Sequence, residues 1–129
     1  MLLALRHPRL WLVTGWILVI FAIVANLVPS HDLPKMGGIS DKFEHVTGYL
    51  VLSLWFAGIY TKSRYPLIGF ALIVMGIAIE ALQGAMHLGR EADLRDVYAN
   101  TIGIICGLTL ALAWLGGWAL RIESLTRKQ

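Results

Sequence analysis

The stretch Leu10–Val28 reads LWLVTGWILVIFAIVANLV. It holds nineteen residues and no charge. At about 1.5 Å of rise per residue, a helix of that length measures roughly 28 Å, enough to cross the hydrocarbon core of a bilayer. Trp11 and Trp16 near its start suit an interfacial anchor, and Pro29 ends it. Arg6 and Arg9 ahead of an apolar block also suit a signal peptide. Such a leader, however, has an apolar core of about 7–15 residues and a small-residue cleavage site. No such site closes this block, so it reads as a retained span.

Working outward, three further helical blocks follow at about 41–60, 66–87 and 95–120. Asp41 and Glu44 open the second like a capping box. Pro66 opens the third, at a position whose N–H has no helical partner anyway. Asp93 is placed to cap the fourth, and 121–129 reads as a polar tail. The chain is therefore expected to be one all-α domain over 1–129, a polytopic membrane protein built as a four-transmembrane-helix bundle. Composition agrees: 57% of residues are hydrophobic, against about 45–50% in soluble domains, and the mean hydropathy is +0.69.

The net charge of +3 fits contact with anionic lipid and a topology signal rather than nucleic-acid binding. Four spans put the N-terminus, the loop after the second span and the C-terminus on one side. That side carries Arg6, Arg9, Lys62, Arg64, Arg121, Arg127 and Lys128; the other carries Lys35, Lys42, Arg90 and Arg95. The excess places both ends in the cytoplasm. The lone cysteine, Cys106, excludes an intrachain disulfide. No cofactor motif is present.

Polar residues within the spans fall into stripes. Asp41, His45 and Tyr49 lie at i, i+4 and i+8 on the second span, with Gly48 beside them. Glu80, Gln83 and His87 form a stripe on the third, and Asp96 and Asn100 on the fourth. His45 and Asn100 lie roughly 6 Å below the starts of their helices, and Glu80 roughly 10 Å below the end of its own. Matching depth predicts that the stripes face one another in a pocket open to the outer surface. Energetics point the same way: an ionised carboxylate facing lipid costs at least about 2.5–3.5 kcal/mol. The alternative is that these groups only hydrogen-bond helices together.

Lys42, Arg90 and Arg95 lie at the same level as two helix N-termini, a combination suited to an anion. Asp41, Asp93 and Asp96 lie there too, as caps and salt-bridge partners or as site residues. Ala99, Gly103 and Gly107 are small residues every four positions. They predict close approach to a neighbouring helix; a seam between two copies of the chain is the other use of that face. Trp55, Trp114 and Trp118 read as lipid-facing or interfacial anchors. His45, His87 and Glu80 match no metal motif of known spacing, so no metal is assigned.

The pattern Asp41-Lys42-x-x-His45-x-x-x-Tyr49, Glu80-x-x-Gln83, Arg90, then Asp96-x-x-x-Asn100-x-x-Gly103-x-x-x-Gly107 resembles the VanZ-like family of bacterial membrane proteins. The resemblance covers about 40–107. It implies a bacterial plasma-membrane protein of the cell envelope, from a family named for a link to low-level teicoplanin resistance, with no reaction firmly assigned. The loop Gly89-Arg90-Glu91-Ala92-Asp93 departs from members with a Ser or Thr between the arginine and the helix.

The leading expectation is a site for an anionic lipid head group or envelope precursor. Arg90 and Lys42 would hold the anion; His45 and Glu80 would tune its protonation; Tyr49, Gln83 and Asn100 would orient it. A catalytic version would use His45 or Glu80 as general base. No activated Ser or Cys nucleophile accompanies them, so no reaction is assigned. The rival is a structural or partner subunit. A conducting path is disfavoured because the inner halves of the spans are almost devoid of polar residues.

Overall fold

The computed structural model describes residues 1–28, 41–86 and 92–126, and of Asp41 only the backbone. His87, Arg90, Lys35, Arg127, Lys128 and the side chain of Asp41, all invoked above, lie outside the described set.

The described chain is all-helical. Helix α1 is Pro8–Leu27, α2 is Asp41–Ile59, α3 is Tyr65–Met86, α4 is Leu94–Leu110 and α5 is Trp118–Thr126. A 3-10 turn at Lys62–Arg64 leads into α3, and a π-helical turn at Ala111–Leu115 prolongs α4. Among the described residues, three stretches are long and apolar enough to cross a membrane: Pro8–Leu27, Lys62–Met86 and Leu94–Leu115. Helix α2 is less apolar, because Asp41, Lys42, Glu44 and His45 crowd its first turns. Large apolar side chains such as Ile17, Phe21, Phe70, Ile77 and Ile105 stand exposed on α1, α3 and α4. In water a surface of this kind would be a liability; in lipid it is the expected exterior.

Helix α2 is the centre of the packing. It runs parallel to α4, with the Lys42 end beside Asp96 and Ala57 in one cluster with Ala111. The seam between them depends on the small residues of α4. A Cβ on Gly103 would collide with the carbonyl of Val46, and one on Gly107 with the Ser53 hydroxyl. Ala99 is buried on the same face. This face is therefore filled by α2 of the same chain. Gly48 is exposed, and an added Cβ would meet no described atom within 4 Å, so it is no point of close approach.

The fourth helix does not run unbroken to 120, as expected. Gly116 N donates to Ala111 O at 2.7 Å, a five-residue closure, and Gly117 adopts φ +69°. That left-handed backbone suits glycine and ends the helix. Residues 118–126, expected as the end of the fourth helix and the first part of the polar tail, form α5.

This helix turns back onto the N-terminal segment. The Glu123 carboxylate accepts from Arg6 N at 2.6 Å, His7 N at 3.1 Å and Trp11 Nε1 at 2.8 Å. It thereby serves the start of α1, where His7 provides no side-chain cap. Leu3 N donates to Ile59 O at 2.9 Å, and Thr61 N to Met1 O at 3.1 Å. Trp118 and Trp55 are not lipid-facing anchors. They pack with Trp11 at centroid distances of 5.1–5.8 Å, Trp118 Nε1 donating to Leu54 O and Trp55 Nε1 to Trp11 O. Trp114 does stand exposed.

Candidate functional site

The opposite end of the packed helices gathers the polar stripes. His45 and Tyr49 from α2, Glu80 and Gln83 from α3, and Asp96 and Asn100 from α4 are all buried, each 2–6% exposed. Helical phase explains the convergence of His45 and Tyr49, Glu80, and Asp96 and Asn100, which lie on the faces their helices turn toward one another, while Gln83 reaches α1.

His45 Nδ1 lies 3.0 Å from Asn100 Oδ1. The amide oxygen accepts, so Nδ1 carries a proton. Nε2 lies 3.5 Å from Asp96 Oδ2. The other oxygen of Asp96, Oδ1, accepts from the Lys42 ammonium, which also reaches Asp93 Oδ2 at 2.8 Å. Lys42 and Asp93 have side chains 40% and 41% exposed, against 8% for Asp96. They form the mouth of the cluster and Asp96 its interior. Hydrogen bonds from Lys42 and from the backbone N–H of Arg95 hold the Asp93 carboxyl below the usual carboxylate range.

Glu80 enters from α3. Its Oε2 accepts from Asp93 N at 3.1 Å, while the buried Oε1 has no hydrogen-bond partner among the described residues. The buried Tyr49 hydroxyl likewise has none among them. Gly76 makes room for this arrangement: a Cβ there would lie 3.1 Å from Asn100 Nδ2 and 3.2 Å from Tyr49 Oη. Gln83 Nε2 donates to the backbone carbonyl of Asn26 at 2.6 Å and ties α3 to the last turn of α1. His45, Glu80 and Asp96 each offer a ligand atom within 4.8 Å of the others.

The chain matches no family model, no curated protein and no solved structure. The site therefore has to be read from its own chemistry.

Two elements of the expected anion grip are occupied within the chain. Lys42 is shared between Asp93 and Asp96. The start of α4 is capped by Asp93, whose Oδ1 accepts from Arg95 N at 2.9 Å. The sequence reading gave Asp93 as a cap or a site residue; here it caps α4, meets Lys42 and touches Glu80. Asn26 was passed over. Its signal was a single amide in an otherwise apolar block. Cys106 is exposed on the outside of α4, away from the cluster's buried interior. The Ser53 hydroxyl donates to Leu50 O at 2.9 Å. Neither is presented beside a base.

Proposed function

We propose that this chain is a VanZ-like, four-span protein of the bacterial plasma membrane, with both ends cytoplasmic, that binds the head group of an anionic lipid or envelope precursor at its outer end. One observation carries the reading. Five buried polar side chains from three helices, His45, Tyr49, Glu80, Asp96 and Asn100, meet at one place, and two of their polar atoms, Glu80 Oε1 and Tyr49 Oη, have no hydrogen-bond partner among the described residues. A buried polar group left without a partner is destabilising by about 1–3 kcal/mol. Two such atoms in one cluster leave donors and acceptors for a bound ligand, ion or water to satisfy.

Counting α2 as a span is supported by its course alongside α4 from Lys42 to Ala57. Cytoplasmic ends are supported by the Glu123 and Met1 contacts, which gather the N-terminal segment, 60–64 and α5 at one end. That end carries the excess of Lys and Arg. The ligand's charge is constrained by the site. Glu80, Asp93 and Asp96 outnumber the Lys42 ammonium, so an anionic head group binds there only with added positive charge, from Arg90 or from a cation.

A purely structural role accounts for the His45–Asn100 and Gln83–Asn26 contacts. It leaves Glu80 Oε1 and Tyr49 Oη without an explanation. Mass spectrometry of lipids retained through purification tests the reading. Wild type should retain a specific anionic lipid, and folded Glu80→Gln and Arg90→Ala variants should lose it. Retention no different from bulk membrane composition in wild type would refute the proposal.

A further inference from the structure

We infer that His45, Glu80 and Asp96 hold a divalent transition-metal ion of the Zn2+ or Mn2+ kind, with a coordination position left open toward the mouth at Lys42 and Asp93. The inference rests on the reading of the buried cluster as the functional site. It supplies the positive charge that an anionic head group needs there.

The donor set is chemically apt. One imidazole nitrogen and two carboxylates suit Zn2+ or Mn2+ better than Ca2+, which takes oxygen ligands alone. Three protein ligands with an open position are the pattern of metal sites that engage a ligand. The three side chains come from α2, α3 and α4, all are buried, and their ligand atoms lie within 4.8 Å of one another. In a tetrahedral site, ligands about 2.0–2.2 Å from a shared ion lie roughly 3.3–3.6 Å apart. His45 Nε2 and Asp96 Oδ2 already lie 3.5 Å apart, and any wider pair has to close, through side-chain torsions, by up to about an ångström.

Two features beyond that proximity point to a cation. Glu80 Oε1 is a buried carboxylate oxygen that no donor among the described residues reaches. The remaining atoms of the cluster are placed as supports. Asn100 Oδ1 accepts the Nδ1 proton and fixes the imidazole tautomer, and Lys42 occupies Asp96 Oδ1 while leaving Oδ2 turned toward His45. Bonds of this kind orient metal ligands.

The test uses the full chain in detergent or nanodiscs, stripped with chelator and dialysed against Zn2+ alone and Mn2+ alone. Bound metal is then counted by elemental analysis. Wild type should take up about one ion per chain and melt at a higher temperature with it. Glu80→Gln and Asp96→Asn keep the side-chain shape and, if helical and monodisperse, should lose the bound ion, as should His45→Ala. Asn100→Ala, a positioning change, should weaken binding roughly 10–100-fold. Co2+ should give d–d absorption bands in wild type that vanish in His45→Ala. Folded wild type without stoichiometric metal, or uptake unchanged by His45→Ala and Glu80→Gln, overturns the inference. Lipid retention is measured on the same samples. Specific lipid without metal would remove this inference and leave the head-group reading standing; metal without specific lipid would do the reverse.

Discussion

Glu80 is the residue at which stability and function pull apart. Glu80 is 4% exposed, and among the described residues only one of its oxygens, Oε2, has a donor, the Asp93 N–H. Glu80→Gln preserves an acceptor for that N–H and removes the buried charge. The expected outcome in metal-free protein is a melting temperature equal to or above wild type; a clear drop would assign the carboxylate a structural role. Gly76 offers a complementary test. A methyl group there would press on Asn100 Nδ2 and Tyr49 Oη from 3.1–3.2 Å. Gly76→Ala should destabilise by roughly 1–3 kcal/mol through overpacking and disturb the site without changing any polar group. Denaturation of the purified variant beside wild type measures this. These residues were legible in the sequence for a plain reason: ionisable and amide groups within apolar spans are costly, so they stand out and must find one another. What the sequence did not display is which oxygen of each carboxylate is used. That depends on the rotation of α3 against α4, which arises from packing at Gly69 and Gly76, where α4 side chains press close.

At the scale of elements, the α2–α4 seam is the most exacting contact in the molecule. Gly103 and Gly107 bring the backbones so close that any side chain on α4 strikes Val46, Leu50 or Ser53. Gly103→Leu should separate the helices and carry His45 away from Asn100. The predicted result is loss of the folded, monodisperse species on size exclusion, whereas Gly48→Ala, with open space around it, should behave as wild type. The small-residue spacing announced a close approach, but it could not say whether the neighbour was α2 or a second copy; a stripe of glycines looks the same in both cases. The break after α4 was announced as well, by the pair Gly116-Gly117. It was masked by the apolar residues on either side, which continue the pattern of a span. Gly117→Ala puts a Cβ into left-handed backbone and should destabilise by roughly 1–2 kcal/mol, read from thermal melting.

For the molecule as a whole, one end is clipped by hydrogen bonds between distant parts of the chain, and the other holds the site. The clip depends on the Glu123 carboxylate. The N–H of Arg6 first, then the indole of Trp11 and the N–H of His7, hold its carboxyl below the usual range. A carboxyl so depressed contributes stability that is present above its unfolded pKa of about 4.3 and is lost as pH falls through the lower folded value. The melting difference between wild type and Glu123→Gln should therefore be present at pH 7 and vanish in acid; a difference that persists at the lowest pH would contradict the assignment. Fluorescent-protein fusions at each end should both fluoresce if that end is cytoplasmic. Everything assigned to the other end requires α2, α3 and α4 to turn their polar stripes toward one point. Cysteine cross-linking in intact membranes tests this most directly, in a Cys106→Ser background. The pair His45→Cys with Asn100→Cys should oxidise readily within one chain, while Phe43→Cys with Ile102→Cys, on exposed faces, should not. Failure of the first pair to cross-link, or cross-linking only between copies, would contradict the account.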